Sequence, residues 1–313
     1  MNTITEHRRT FIDLYENDDL REWLEVFFHA CRARNLAAGT LEFYAKKLNA
    51  FYWFCQYLAV TRVDQIAPET IRHFLIYLEE QHHKPGGIHC YYRSLRTFLI
   101  WYEQETERTD WHNPIRKVKA PIVPLEPLDP VSIDTIKSMM EASARSTTWM
   151  DARDKAALLF LLDTGVRLSE FLALNREDVN LITGAVHIIR GKGRKPRHAY
   201  LGDKARQSLR RYLKERKDFN PVLWINRFGE RLTATGLRMI LRRHAARGKI
   251  PVPSPHDFRR AFALERWRAG SDILTISKLM GHTSLQVLTR YLKQAGEDLE
   301  QAAKATSPVD RNF

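Results

Sequence analysis

The chain has 313 residues, 44% of them hydrophobic and 11% aromatic, which excludes a disordered chain and leaves room for two domains, each with its own core. No apolar run reaches the ~18 residues of a membrane-spanning helix. Residues 1–19 are polar and mixed in charge, without the apolar segment of a secretory signal. Net charge is +13, from 50 Lys and Arg against 37 Asp and Glu. It is unevenly spread: residues 1–128 hold 16 basic and 17 acidic side chains, residues 129–313 hold 34 and 20. An excess carried wholly by the second part favours a polyanionic partner, nucleic acid above all, over a generic basic surface. The three cysteines, Cys31, Cys55 and Cys90, form no CxxC pair and read as buried or free thiols of a reducing cytoplasm. His82, His83, His89 and Cys90 fit no common structural zinc spacing, so no metal is expected.

From about residue 14 to 105 the pattern is helical throughout. Leu20, Trp23, Leu24, Phe27 and Phe28 recur at helical spacing, as do Leu41, Tyr44, Leu48, Phe51 and Phe54. Ala67-Pro68-Glu69-Thr70 opens a third helix carrying Ile71, Phe74, Leu75 and Leu78. Pro85-Gly86-Gly87 precedes a fourth with Leu95, Phe98 and Leu99. Four such helices pack as a bundle. Pro114, Pro121, Pro124, Pro127 and Pro130 then favour an extended path, read as a stiff linker over 106–130. Beyond it, Ser132 is placed to cap a helix through Met140, and residues 151–162 read as a helix buried on most sides. Residues 185–190 and 197–201 alternate like a β-hairpin around a basic turn. Helices resume at about 203–216, 234–247, 256–268, 272–280 and 284–293.

Five segments of the second part could carry chemistry. In Thr164-Gly165-Val166-Arg167-Leu168-Ser169-Glu170, Gly165 ends one helix and Ser169 is placed to cap the next, leaving Arg167 on a tight turn. A partly buried guanidinium there needs a partner, either Glu170 or a bound phosphate. Gly191-Lys192-Gly193 forms the hairpin turn with Lys192 at its tip, which a solvated basic turn explains equally well. His-x-x-Arg occurs four times, starting at His29, His187, His244 and His256. The first lies on an apolar helix of the net-neutral part. The second puts His187 and Arg190 on opposite faces of a strand. The third lies in a basic stretch that reads as solvated or DNA-facing. The fourth follows Pro253-Ser254-Pro255, so His256 and Arg259 share the first turn of a helix, where amides and dipole favour an anion. Gly281 terminates the 272–280 helix and leaves His282 at the break. Thr283 and Gln286 then form a capping-box pattern. Tyr291 sits at the edge of the stripe Leu285, Leu288 and Leu292, where an ordinary boundary tyrosine is the alternative.

Together, two arginines, a lysine and two histidines could surround a tetrahedral anion. Phosphoryl transfer needs donors on the non-bridging oxygens, a nucleophile and proton-transfer groups, and Tyr291 is the only nucleophile of the set. No acidic cluster suited to two magnesium ions accompanies them, which disfavours a two-metal nuclease.

The ordered set Thr-Gly-Val-Arg-Leu-Ser-Glu at 164–170, Gly-Lys-Gly at 191–193, His-x-x-Arg at 256–259, Gly-His at 281–282 and Tyr291 resembles the tyrosine recombinase family, of the phage-integrase and Xer type. Arg167 to Lys192 is 25 residues, Arg259 to His282 is 23 and His282 to Tyr291 is 9, all matching the family order. The resemblance implies a mainly α protein. A helical SAM-like core-binding domain (14–105) and a linker (106–130) would precede a mostly helical α+β catalytic domain with a small hairpin sheet (131–295). The tail, 296–313, would include a short helix packing into a neighbouring subunit. It implies that Tyr291 attacks a DNA phosphate to give a 3′-phosphotyrosyl link, and that Arg167 and Arg259 clamp the non-bridging oxygens. His256 would accept the tyrosine proton, Lys192 would protonate the leaving 5′-oxygen, His282 would hold the phosphate and Tyr291, and Glu170 would support the site. Neither metal nor ATP is implied.

The resemblance further implies double-stranded DNA with an inverted-repeat core site, a tetramer on two such sites, a Holliday-junction intermediate and a cytoplasmic, nucleoid-associated setting. The expected phosphate contacts are Arg32, Lys46, Lys47, Arg93 and Arg96 in the first part. In the second they are Arg194, Lys195, Arg238, Arg242, Arg243 and Arg247, with Arg260 added where many members have His. For each of these, plain surface charge is the alternative. For the whole chain the alternatives are a catalytically silent DNA-binding relative, which would have no chemical need for the tyrosine, and a type IB topoisomerase or telomere resolvase. The short chain and compact first part favour the recombinase. No separate arm-binding domain precedes residue 14, which speaks against a lambda-type integrase.

Overall fold

In the computed structural model, residues 17–124, 130–141, 148–189 and 196–281 are described. The contacts divide the chain into two units, 1–126 and 127–313.

The first unit holds α1 (Leu20–Ala33), α2 (Ala38–Tyr57), α3 (Pro68–Glu80) and α4 (Pro85–Thr106). Asp19 starts α1 by accepting from the amides of Arg21 and Glu22 at 2.9 and 3.0 Å. The apolar stripes meet in one aromatic core of Trp23, Phe27, Phe51, Phe74, Phe98 and Tyr102, all buried. Edge-to-face pairs such as Phe51–Phe74, 5.1 Å between centroids, fix the helix faces. The proline-rich stretch begins inside this unit. Asn113 caps a 3₁₀ turn, Pro114–Lys117, and Ile115 and Val118 are buried in the same core. Tyr92 donates to the Val118 carbonyl at 2.8 Å. Two isolated apolar side chains among basic ones give no periodicity, which is why the segment read as linker from residue 106.

In the second unit, α5 (Ile133–Glu141) is capped by Ser132, whose hydroxyl accepts from the Thr135 amide at 3.0 Å. The central α6 (Trp149–Thr164) packs against α8 (Asp203–Glu215) and α10 (Pro255–Arg268). Its periodicity is weak because most sides are covered, and it carries a buried ion pair, Arg153–Asp154. Between α6 and α8 lie α7 (Leu168–Ala173) and the hairpin β1 (Ala185–Ile188) and β2 (Arg197–Tyr200). The strands are antiparallel, with Ala185 opposite Tyr200 and Ile188 opposite Arg197. His187 faces His198 across the pair, ring centroids 4.9 Å apart. Helices α9 (Ala234–Gly248) and α11 (Ile273–Met280) complete the described unit. Trp224 lies at its centre, stacked on Phe171 at 4.7 Å. The fold is mainly helical with one small sheet, as the sequence leads one to expect.

Candidate active site

Arg167 is placed by the turn between α6 and α7. Gly165 ends α6 at φ +56°, and a Cβ there would meet the Phe262 ring at 2.5 Å. Left-handed backbone disfavours any other residue by roughly 1–2 kcal/mol, and the buried ring adds an overpacking cost of about 1–3 kcal/mol. Gly165→Ala is therefore expected to lower unfolding free energy by about 2–4 kcal/mol in urea titration. The start of α7 differs from the expectation: Arg167, not Ser169, is its N-cap. The Glu170 carboxylate accepts the Arg167 amide at 2.8 Å, so the first turn is closed by an acid three residues in.

Glu170 is 3% exposed and holds two guanidinium groups. Arg167 Nη1 donates to Oε1 at 3.0 Å, and Arg197 donates to both oxygens at 2.8 and 2.7 Å. Burial by itself would raise its pKa. The Arg197 fork, the Arg167 amide and the two cationic charges overcome that and bring it down to about 2. The folded pKa lies below the ordinary 4.5, so the stabilisation is present above about 4.5 and lost as pH falls towards 2. The expected loss is about 3 kcal/mol across that window at 1.36 kcal/mol per unit. Urea titrations at stepped pH, compared with Glu170→Gln, check it: the variant's curve is flatter there.

His256 and Arg259 share the first turns of α10, which Ser254 and Asp257 close as a reciprocal capping box, with Ser254 N to Asp257 Oδ2 at 2.7 Å. The His256 pKa is lowered. Desolvation by the surrounding protein contributes most, followed by the charges of Arg260 and Arg259, then Arg167, with Asp257 opposing. A neutral imidazole able to take a proton is the result. Arg259 is buried at 2% exposure; it donates to the Gly165 carbonyl and, at 2.7 Å, to the Met280 carbonyl. Arg260 pairs with Asp257 at 3.0 Å.

These arginines converge on one place, the C-terminal turn of α11. The last carbonyls of a helix have no partner within it. Here the Leu279 carbonyl accepts from Arg197 Nε at 3.1 Å, and that of Met280 from Arg259. The Gly281 carbonyl accepts from Arg167 Nη2 at 3.0 Å. Gly281 itself adopts φ +62° and is the residue before His282. Cations at a helix C-terminus also gain from its dipole. Arg167, Glu170 and Arg259 are thus brought together around the point where the chain leaves for His282 and Tyr291. Lys192, His282 and Tyr291 lie outside the described residues, as do Arg194, Lys195, the expected 284–293 helix and the 296–313 tail.

The expected DNA contacts differ in surroundings. Arg32, Lys46, Arg93 and Arg96 are exposed on the first unit. Lys47 is half-buried, its ammonium 3.6 Å from the Tyr91 ring centroid, and desolvation lowers its pKa. On α9, Arg238, Arg242, Arg243 and Arg247 are all exposed. Two of them reach back to α6, Arg243 to Asp154 and Arg247 to Asp151 at 3.8 Å. His244 is the exception in a stretch read as solvated or DNA-facing: it is fully buried, its Nε2 2.9 Å from Asp154 Oδ2. The sequence signal was the adjacent charges Arg153-Asp154 inside an apolar helix. Arg197 was also missed, because an arginine just after a basic turn reads as one more surface cation.

A sequence model of the phage integrase family matches residues 131–297. The chain is 30% identical over 294 residues to Tyrosine recombinase XerD of Oceanobacillus iheyensis, covering 89% of this chain and 97% of the relative. It is 27% identical over 305 residues to Tyrosine recombinase XerC of Leptospira interrogans, covering 95% and 96%. Among solved structures, the Tn1549 transposon integrase in complex with transposon right end DNA superposes with a TM-score of 0.72 at 17% identity, over 91% of this chain and 99% of that one, a likeness of fold. The chain belongs to the phage integrase family. Within it, it is a tyrosine-type site-specific recombinase.

Proposed function

We propose that this protein cuts and rejoins double-stranded DNA at a specific site through a covalent tyrosine intermediate. The observation that carries the reading is the convergence of Arg259 and of Arg167, itself held by Glu170, on the Met280 and Gly281 carbonyls just before His282. Tyr291 attacks the scissile phosphorus, its Oη–P bond forming as the bond to the 5′-oxygen breaks. His256, neutral at pH 7 by its surroundings, takes the phenol proton, and Lys192 gives one to the departing 5′-oxygen. Arg167 and Arg259 stabilise the charge on the non-bridging oxygens, a fork geometry that lysine does not supply. His282 bonds the phosphate beside Tyr291. The phosphotyrosyl link keeps the phosphodiester energy, so attack by a partner strand's 5′-hydroxyl reverses the chemistry without ATP. Two such exchanges, through a Holliday junction in a tetramer on two inverted-repeat sites, complete recombination.

The domains are used accordingly: the first unit, with residues 106–118 packed into it, and residues 131–295 grip the duplex, with the 296–313 tail packing between subunits. The exposed arginines of α9 and the cations of α1, α2 and α4 meet phosphates. The protein works in the cytoplasm at the nucleoid. The test is a supercoiled plasmid carrying two copies of the site that the protein selects from random DNA. Deletion or inversion between the sites is the expected product. Relaxation alone would point to a topoisomerase, and hairpin ends to a resolvase.

A further inference from the structure

We propose that Arg197 is a positioning residue for strand cleavage, holding Glu170 and the last turn of α11 in the geometry that Arg167 needs. The inference rests on the recombinase reading and adds to it a side chain that does not itself touch the phosphate.

Arg197 is the first residue of β2, and its side chain is 14% exposed. Each of its three guanidinium nitrogens donates a hydrogen bond. Nη1 and Nη2 fork onto the two Glu170 oxygens at 2.8 and 2.7 Å, and Nε holds the Leu279 carbonyl at 3.1 Å. Its stem lies flat over Gly281: a Cβ there would stand 2.7 Å from Arg197 Cδ. Gly281 is therefore glycine for two reasons, its φ of +62° and the approach of this arginine. One side chain thus ties the strand, the buried acid and the turn before His282.

The consequence is electrostatic as well as steric. Glu170 is shared between two arginines: Arg197 takes the bidentate fork, and Arg167 takes one oxygen at 3.0 Å while its Nη2 holds the Gly281 carbonyl. Without Arg197, the buried carboxylate keeps Arg167 as its one guanidinium partner among the described residues. A bare carboxylate in that setting draws the remaining cation fully onto itself. Arg167 would then turn towards Glu170 and away from the Gly281 carbonyl that it holds beside His282. At the same time the Leu279 carbonyl loses its partner. A displacement of about 1 Å in a clamping group costs on the order of a hundredfold in rate.

The experiment is single-turnover formation of the covalent adduct on a nicked duplex of the selected site, with the protein in saturating excess and DNA affinity measured separately. Arg197→Met, which keeps the stem, is expected to slow adduct formation about 30- to 100-fold with affinity changed less than about threefold. The double variant Glu170→Gln/Arg197→Met should be no slower than the slower single variant, since both remove one ion pair. A folded Arg197→Met protein that reacts within about threefold of wild type overturns the inference, as do rate losses that multiply in the double variant. An equal loss in affinity and rate overturns it too, by marking a general structural role. If Arg197→Met does not fold, Arg197→Lys replaces it, with an expected loss of about tenfold because one donor cannot fork. Absence of any adduct from the wild-type chain on DNA that it binds is a different result: it overturns the recombinase reading itself.

Discussion

Arg259→Lys is expected to slow adduct formation about 10²- to 10³-fold, the loss of roughly 2.7–4 kcal/mol seen when one preorganised donor to a developing anion is removed. The charge is conserved; the geometry is not. Arg259 holds two carbonyls from different elements, Gly165 at the end of α6 and Met280 at the end of α11. A guanidinium carries five N–H groups on a rigid plane, whereas an ammonium has three on one atom. Lysine at 259 could serve one carbonyl or a phosphate oxygen, and would leave the others unpaired at a position only 2% exposed. DNA affinity should change by less than about threefold if, as proposed, it rests on many exposed phosphate contacts. Adduct formation under single turnover with a parallel affinity measurement separates the two. A rate within tenfold of wild type would show that Arg259 is not a clamp on the reacting phosphate.

Asp154→Ala is the substitution expected to cost most stability, about 3–5 kcal/mol, as for other buried ion pairs broken on one side. Asp154 is fully buried. Its Oδ1 accepts from Arg153 Nε and Nη2 at 2.9 and 2.7 Å, while Oδ2 meets Arg243 and, at 2.9 Å, His244 Nε2. Burial opposes the negative charge, but the His244 contact and the Arg153 charge outweigh it and hold the pKa below the usual range. Alanine would take the carboxylate from the buried Arg153, 4% exposed, and the hydrogen-bond partner from the buried His244 Nε2. Urea titration measures the loss; a change below about 1 kcal/mol would mean that the network is not what joins α6 to α9.

What the sequence made legible follows from local rules. Helix ends set by Gly165, Ser254 and Gly281 appear where turn and cap chemistry put them. The change of period at residues 185–201 marks the hairpin, and aromatic stripes mark the first bundle. What stayed hidden depends on partners far along the chain. Arg197 looks like a surface cation until Glu170, 27 residues earlier, and Leu279, 82 residues later, fold onto it. His244 sits in a basic helix and is buried only because Asp154 waits 90 residues away. Ile115 and Val118 are too few to show a period, yet they complete the first core. Ser169 looked like a cap by residue type, but the acid at 170 reaches the Arg167 amide first and starts the helix two residues earlier.

Tyr291 is expected to become covalently joined to DNA. The direct measurement is incubation of the purified protein with a nicked duplex of its selected site, beside Tyr291→Phe. A slow-migrating, protease-sensitive adduct from the wild type that the phenylalanine variant lacks, unaffected by EDTA, is the predicted result. The absence of any adduct on DNA that the protein demonstrably binds, or an adduct that Tyr291→Phe still forms, would contradict it.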